Sequence, residues 1–578
     1  MARPTRELGR RPLGRFLVLS VLAAALAGCS QSPAPREPAG PAYDVVIRGG
    51  TVYDGRGGAP FVGDVAVRGD RIAAVGDLAG ARARREIDAT GLAVSPGFVN
   101  MLSWATESLI EDGRGMSDLL QGITLEVFGE GWSMGPVNDD LREVLRQRQS
   151  DIRYDVEWDT LGGYLDLLAE RGISPNVASF VGATTVRAYV LGFEDRPPTP
   201  AELDRMRGLV REAMEEGALG VGSSLIYAPA FYASTDELVA LAEEAGEHGG
   251  MYISHLRSEG NRLLEAVDEL IEIARRAGVP AEIYHLKAAG RDNWGKLDDV
   301  IARVERARAA GLRISADMYT YTAGATGLDA AMPPWVQEGG LEAWVERLRD
   351  PEVRSRVRGE MRTPTDAWEN LFLAAGPEQM VLLDFKNPRL RHLQGRTLAE
   401  VAAERGFDPA ELAMDLVIED GSRVGVAYFL MSEDNVRRKA ALPWVSFGSD
   451  AGAPAAEGVF VRTSTHPRAY GNVARLLGRY VRDEGIVSLA EAVRRLSGLP
   501  AANLGLRERG LLQPGYFADV VVFDPATVVD HATFEEPHRY ATGVVHVLVN
   551  GEPVVEGGAH TGALPGRVVR GPGWTGGR

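Results

Sequence analysis

The chain has 578 residues, 45% of them hydrophobic and 25% charged, with a formal net charge of −17 at neutral pH. That length exceeds one small core and predicts a large domain with smaller companions, while the composition excludes collagen-like and wholly disordered chains. So acidic a chain is a poor partner for a phosphate backbone, because nucleic-acid binders carry a basic face.

In chain order, Arg3, Arg6, Arg10, Arg11 and Arg15 precede the apolar run Phe16–Ala27, which closes on Leu26-Ala27-Gly28-Cys29. A basic region, a short apolar core and small residues before a cut form an export signal rather than a membrane span. Cys29 is the one cysteine, so it has no intramolecular disulfide partner. Its setting resembles a lipobox. Residues 1–29 then form a lipoprotein signal peptide, the lipidated Cys29 is the membrane anchor, and the Pro-, Ser- and Ala-rich residues 30–42 are a tether. The expected location is therefore exported and anchored at the membrane of the cell envelope. No later apolar run approaches the ~20 residues of a span, which argues against a transport role.

The runs 43–54 and 64–75 are short and β-branched, broken by Gly and Asp, and 518–524 and 544–551 repeat that style near the end. Strands bounded by turn residues predict hairpins, here in one small β-sandwich-like domain completed by both chain ends, residues 43–95 and 496–578. Between them the strand-like runs 122–128, 251–254, 281–284, 312–316 and 444–447 alternate with helical segments such as 200–215 and 235–247. The prediction is an α/β fold, a (β/α)8 TIM-like barrel over residues 96–495, with a helical insertion at about 333–419.

Histidine placement carries the first chemical signal. None of the nine precedes His248, and His255 and His285 directly follow strand-like runs. Barrel enzymes place function at the C-terminal ends of their strands. Two imidazoles on successive strand ends, joined by a carboxylate, make a zinc site with an open water position. Glu130, in Val-Phe-Gly-Glu-Gly-Trp-Ser, and Asp450, in Phe-Gly-Ser-Asp-Ala-Gly, are the candidate carboxylates. Spacing alone leaves the bland alternative open: a histidine after a strand also serves as a hydrogen-bonding core residue, and an acid between glycines as a turn or cap.

Several stretches together carry a resemblance: Ser95-Pro-Gly-Phe-Val99, Ser254-His-Leu-Arg-Ser-Glu-Gly260, His285-Leu-Lys287, Asn293-Trp-Gly-Lys296, Asp317-Met-Tyr-Thr-Tyr-Thr322, Gly448-Ser-Asp450, His466-Pro-Arg-Ala-Tyr-Gly471 and the tail from Leu496. In this order, from Tyr43 to Trp574, the chain resembles the amidohydrolase superfamily and, within it, the D-aminoacylase (N-acyl-D-amino-acid deacylase) family. The resemblance implies a metal site at the barrel's strand ends, with His255 and His285 as metal ligands and Asp450 as the catalytic aspartate. It implies Lys287 and Tyr319 as contacts of the substrate carboxylate, and Arg257, two residues past a ligand, as a third.

Two departures mark this chain. Where the family carries Asp-x-His-x-His, supplying two ligands of a second metal, this sequence reads Asn100-Met-Leu-Ser-Trp104, with Leu102 and Trp104 in the histidine places. Where the family has a metal-binding cysteine, it has Glu130. Together they imply one Zn2+ per chain, held by Glu130, His255 and His285, an arrangement similar to that of N-acetylglucosamine-6-phosphate deacetylases. The expected reaction is hydrolysis of N-acyl amino acids, of D configuration, with Asp450 taking the water's proton. The alternatives are another amide-, ureido- or dipeptide-cleaving amidohydrolase, or an inactive lipoprotein that binds such a ligand without cleaving it. Trp104, Trp132, Tyr227 and Tyr232 are candidates for the acyl pocket, and His466 is expected near the mouth without a role in metal binding.

Overall fold

The computed structural model describes residues 42–576. The signal peptide, Cys29 and almost all of the tether lie outside the described residues. Eight short parallel strands form a barrel: β1 (Phe98–Asn100), β2 (Ile123–Phe128), β3 (Asn176–Ser179, continued by Val181–Gly182), β4 (Gly220–Ser224), β5 (Met251–His255), β6 (Ala281–Ile283), β7 (Ile314–Met318) and β8 (Val445–Phe447). Each pairs in parallel with the next. The ring closes where β8 returns to β1: Met101 N–H donates to the Phe447 carbonyl and Asp450 N–H to that of Leu102, and Ser103 bridges Ala451. The strands are buried along their whole length, as expected of a parallel sheet covered on both faces.

The two helical segments singled out in the sequence form with sharp starts. Thr199 and Glu202 make a capping box ahead of Pro200–Glu215, with Pro in the first turn, and Ser234 caps Thr235–Glu247. Such side chains satisfy otherwise orphaned N–H groups. Their buried faces, Met206, Val210 and Met214 on one and Leu238, Leu241 and Ala245 on the other, cover the strands.

Both chain ends contribute to one nine-stranded sheet, joined where Ala93–Pro96 pairs antiparallel with Val520–Phe523. Val45, Ile47, Val65, Val67, Val94, Val520, Val522 and Leu548 fill its core. The chain passes from this sheet into β1 through Gly97, where a Cβ would collide with the Thr124 side chain. Only glycine allows that close crossing.

The segment at about 333–419 is not purely helical. It holds the helices Leu341–Arg347, Pro351–Met361, Leu371–Ala375, Leu398–Arg405 and Pro409–Asp420, but also the strand Met380–Asp384. That strand pairs with Gly425–Phe429, which pairs in turn with Ala323–Gly327, so a small antiparallel sheet brackets the helices. Among the described residues no helix is long and apolar enough to cross a membrane.

Candidate metal centre and active site

Three strand ends deliver the candidate ligands to one buried point. After β2 the chain runs Gly129-Glu130-Gly131 with φ of 109° and 70° at the two glycines. A side chain at either would strike Phe180 or Ser224, so the flanking glycines let the backbone press against β3 and β4 and turn Glu130 inward. His255 is the last residue of β5. His285 follows β6 with φ of 32°, its N–H bonded to Asp317 Oδ1 at 2.9 Å. A left-handed backbone at a non-glycine residue is a local strain that surrounding bonds must hold in place.

Glu130 Oε1 lies 3.1 Å from His255 Nδ1 and 2.8 Å from His285 Nε2. One donor atom from each of the three residues falls within 4.8 Å of the others, and all three residues are buried. The imidazole rings stand nearly perpendicular, 4.6 Å between centroids. His255 Nε2 is buried and has no hydrogen-bond partner among the described residues. A carboxylate oxygen meeting two imidazoles at one buried point is a donor set that fits a divalent metal ion of the zinc class.

Electrostatics point the same way. Burial works against the ionised forms of Glu130 and Glu259, yet the neighbouring imidazoles, with Lys287 in the case of Glu259, hold both carboxyls well below the usual range. Burial and Lys287 lower the pKa of His285, but Glu259 and Glu130 outweigh them and raise it to about 10. The point between Glu130 and the imidazoles therefore attracts positive charge strongly, as a cation site should.

Behind the imidazoles sits Glu259, which sequence reasoning missed as a functional group. Its Oε1 is 2.6 Å from Lys287 Nζ and 3.1 Å from His285 Nδ1, and its Oε2 is 3.6 Å from His255 Nε2. Lys287 Nζ also lies 2.7 Å from His285 Nδ1. Partners of this kind fix the orientation of metal-binding histidines.

Asp450, after β8, has φ of 51°. Its Oδ1 accepts from the Trp104 indole N–H at 3.1 Å, and its Oδ2 lies 2.8 Å from Arg468 Nη1. Burial pushes its pKa up against the pull of Arg468. Tyr319 lies between two cations, 4.6 Å below the Arg468 guanidinium and 5.6 Å from Lys287 Nζ, and its ring is 6.3 Å from that of His285. The buried Arg468 keeps an Nε with no hydrogen-bond partner among the described residues. Lys287, Tyr319 and Arg468 thus form one face of the site, able to receive an anionic group.

Arg257 is not on that face. Its guanidinium donates to both oxygens of Glu269, at 2.9 Å for the Nε–Oε2 bond, and to the carbonyls of Phe231 and Ala233. It lines a separate cleft of about 920 Å³ that none of Glu130, His255, His285 or Asp450 borders. The structure thus does not bring Arg257 together with Lys287, as the expectation of a shared grip on a substrate carboxylate had it. The i, i+2 alternation that would set it beside His255 applies within a strand, and β5 ends at His255.

Arg468, not singled out in the sequence, is the guanidinium that sits beside Tyr319 and Asp450. It lay within the quoted His466-Pro-Arg stretch, but nothing in the spacing says that a loop folds it back 18 positions onto Asp450. His466 has both ring nitrogens engaged, Nε2 with the Ala323 carbonyl at 3.0 Å and Nδ1 with the Arg468 N–H at 3.0 Å. It seats the backbone of Arg468 rather than a metal. Of the aromatic candidates, Tyr227 lies edge-on to His255 with centroids 5.4 Å apart, Trp132 carries the Arg148 guanidinium at 3.8 Å, and the Tyr232 hydroxyl donates to the Pro334 carbonyl.

Comparison with known proteins places the whole chain in a family. Residues 85–555 match the model of the amidohydrolase family. The chain is 35% identical over 531 residues to a D-aminoacylase of Alcaligenes xylosoxydans xylosoxydans, covering 91% of this chain and 97% of that one. A D-aminoacylase crystal structure superposes with a TM-score of 0.75 at 34% identity, over 91% of this chain and 100% of that one. An N-acyl-D-glutamate deacylase from Bordetella bronchiseptica, complexed with zinc and a phosphonate mimic of the tetrahedral intermediate, also gives 0.75, at 31% identity over 91% and 99%. The chain belongs to the amidohydrolase family and, within it, to the D-aminoacylase and N-acyl-D-amino-acid deacylase group.

Proposed function

We propose that this protein hydrolyses N-acyl-D-amino acids to a carboxylate and a free D-amino acid, at a single zinc ion held by Glu130, His255 and His285. The observation that carries the reading is the meeting of Glu130 Oε1 with two imidazole nitrogens beside Asp450. Bound there, zinc supplies Lewis-acid polarisation of the amide carbonyl and lowers the pKa of a water towards ~7.

The chain's own residues do the rest. Asp450 takes a proton from the attacking water and returns it to the amine nitrogen as the C–N bond breaks. Lys287, Arg468 and Tyr319 receive the α-carboxylate, the guanidinium offering a fork and the ammonium a point charge. Charge counting supports this assignment. Glu130, Glu259 and Asp450 face the two fixed cations Lys287 and Arg468. With neutral imidazoles the site carries one net negative charge. A divalent metal makes it singly positive, and a substrate carboxylate brings it to neutrality.

The lipobox reading of Leu26-Ala27-Gly28-Cys29 belongs to the same proposal: an exported enzyme tethered at the envelope membrane and meeting substrates from outside the cell. The test uses the chain lacking residues up to Cys29 and its Glu130→Ala variant. Elemental analysis should find about one zinc per chain in the first and none in the second. Amine release from N-acetyl-D-amino acids should exceed that from their L-enantiomers. A metal-free parent that cleaves neither set after zinc addition sinks the reading.

A further inference from the structure

We infer that Trp104 is a positioning residue for this reaction, its indole N–H bridging Glu130 and Asp450 and holding the two carboxylates in register. The inference rests on the deacylase reading above. Trp104 Nε1 is 3.1 Å from Glu130 Oε2 and 3.1 Å from Asp450 Oδ1, so one donor serves both groups.

Three features make this more than a passing contact. First, the bond divides the work within each carboxylate. Glu130 gives Oε2 to the indole while Oε1 faces the imidazoles, and Asp450 gives Oδ1 to the indole while Oδ2 faces Arg468. Each carboxylate is thereby fixed against rotation. Secondly, the indole is itself anchored to Asp450 through the backbone. Trp104 N–H donates to the Ala451 carbonyl at 2.9 Å and Asp450 N–H to the Leu102 carbonyl at 2.9 Å, across the closing seam of the barrel. The side chains meet because the strands that carry them are already paired.

Thirdly, the chemistry suits a donor that never changes state. Two carboxylates this close repel, and a group between them must be positive or donate hydrogen bonds. An indole N–H donates only: it does not ligate metal, accept a bond or titrate in the working range. It lowers the repulsion without competing with Asp450 for the water's proton. Trp104 is 38% exposed, so part of its ring is open to solvent while its N–H meets the two carboxylates.

The test replaces the N–H and keeps a ring. Trp104→Phe should bind about one zinc per chain and unfold near the parent's midpoint, but lose metal to a chelator about 10–100-fold more readily, the effect expected when a partner of a ligand is removed. On an N-acyl-D-amino acid its kcat should fall by a similar factor, with KM within about threefold. Unchanged chelator release and unchanged kcat overturn the inference. So does a rise in KM alone, which would make the ring a wall for the substrate. If Trp104→Phe fails to fold, site-specific benzothienylalanine, with sulfur for the N–H, keeps the shape and gives the same readouts. A parent chain that holds zinc but cleaves no N-acyl amino acid defeats the deacylase reading, while chelator release still reports on the bond to Glu130.

Discussion

Replacing Asp450 with Asn isolates proton transfer from everything else at the site. The amide keeps the shape of the carboxylate and one acceptor for the Trp104 N–H, which lies 3.1 Å from Oδ1. What disappears is the basic oxygen and the charge opposite Arg468 Nη1, 2.8 Å from Oδ2. A positioned general base contributes about 10²–10⁴ in rate, or roughly 3–5 kcal/mol of barrier at about 1.4 kcal/mol per decade. The expected result is a fall in kcat of that size. Metal content should stay at the parent level, because Glu130, His255 and His285 are untouched. KM should change little, since Lys287, Tyr319 and the freed Arg468 still face the substrate carboxylate. Stability should drop modestly, by about 1–3 kcal/mol, because a buried guanidinium loses its charged partner. The assay is amine release under saturating N-acetyl-D-amino acid, with elemental analysis and thermal unfolding on the same preparation. A variant with bound metal and kcat within threefold of the parent would refute the role of Asp450.

Arg257→Ala should leave kcat/KM for N-acyl-D-amino acids within about threefold and lower stability by roughly 1–2 kcal/mol, since it breaks a part-buried pair with Glu269 and frees two carbonyls; a selective rise in KM would restore it to the substrate site. Arg468→Lys keeps the charge but loses the fork, so KM should rise about tenfold or more for substrates with a free α-carboxylate and less for their amides, measured by steady-state kinetics on both. Glu282, buried in the barrel and bonded by Ser315, Ser446 and Asn503, has its pKa raised to about 7, chiefly by burial. A carboxyl with a folded pKa above its unfolded one binds more protons when folded. Its stabilising contribution is therefore full below about pH 4.5 and is lost as pH rises towards 7. Glu282→Gln should flatten denaturant-measured stability across that window by up to about 3 kcal/mol, and an unchanged pH slope would contradict the shift.

The barrel was legible from five strand-like runs, at β2, β5, β6, β7 and β8, alternating with helical segments such as Pro200–Glu215; β1 is too short, and β3 and β4 too polar, to stand out, as Gly220-Val-Gly-Ser-Ser224 shows. His255 and His285 were legible for a related reason: a polar group directly after an apolar run sits at a strand's end, where a barrel opens. Legibility faded wherever a loop set the position. Glu259 lies four residues past β5 in a turn, outside any periodicity, and only the fold brings it under both imidazoles. Arg468 opens the helix Arg468–Arg475 after the long connection from Asp450, and Arg257 is placed by the irregular segment that follows β5. The small sheet bracketing the insertion was missed because its central strand, Gly425–Phe429, is separated in sequence from one partner by five helices and from the other by two.

The residue least explicable from sequence is Asn100, where the family pattern has Asp. Its Nδ2 lies 3.1 Å from Asp118 Oδ2, 3.0 Å from Glu126 Oε2 and 2.8 Å from Ser449 Oγ, while its Oδ1 accepts from the Ser449 N–H at 2.7 Å. Burial, and for Asp118 the proximity of Glu126, push both of these carboxyls up. A third carboxylate here would add a like charge and remove the donor all three oxygens share. The amide instead links Asp118 and Glu126 to Ser449, and so to the left-handed Asp450 that follows it. Asn100 below and Trp104 above, both on the β1 side of the closing seam, therefore hold Asp450 from two directions with neutral donors. With His exchanged for Leu and Trp at the two departing positions, β1 supplies no metal ligand to this site. Its remaining polar groups fix Asp450, the carboxylate proposed to move the proton.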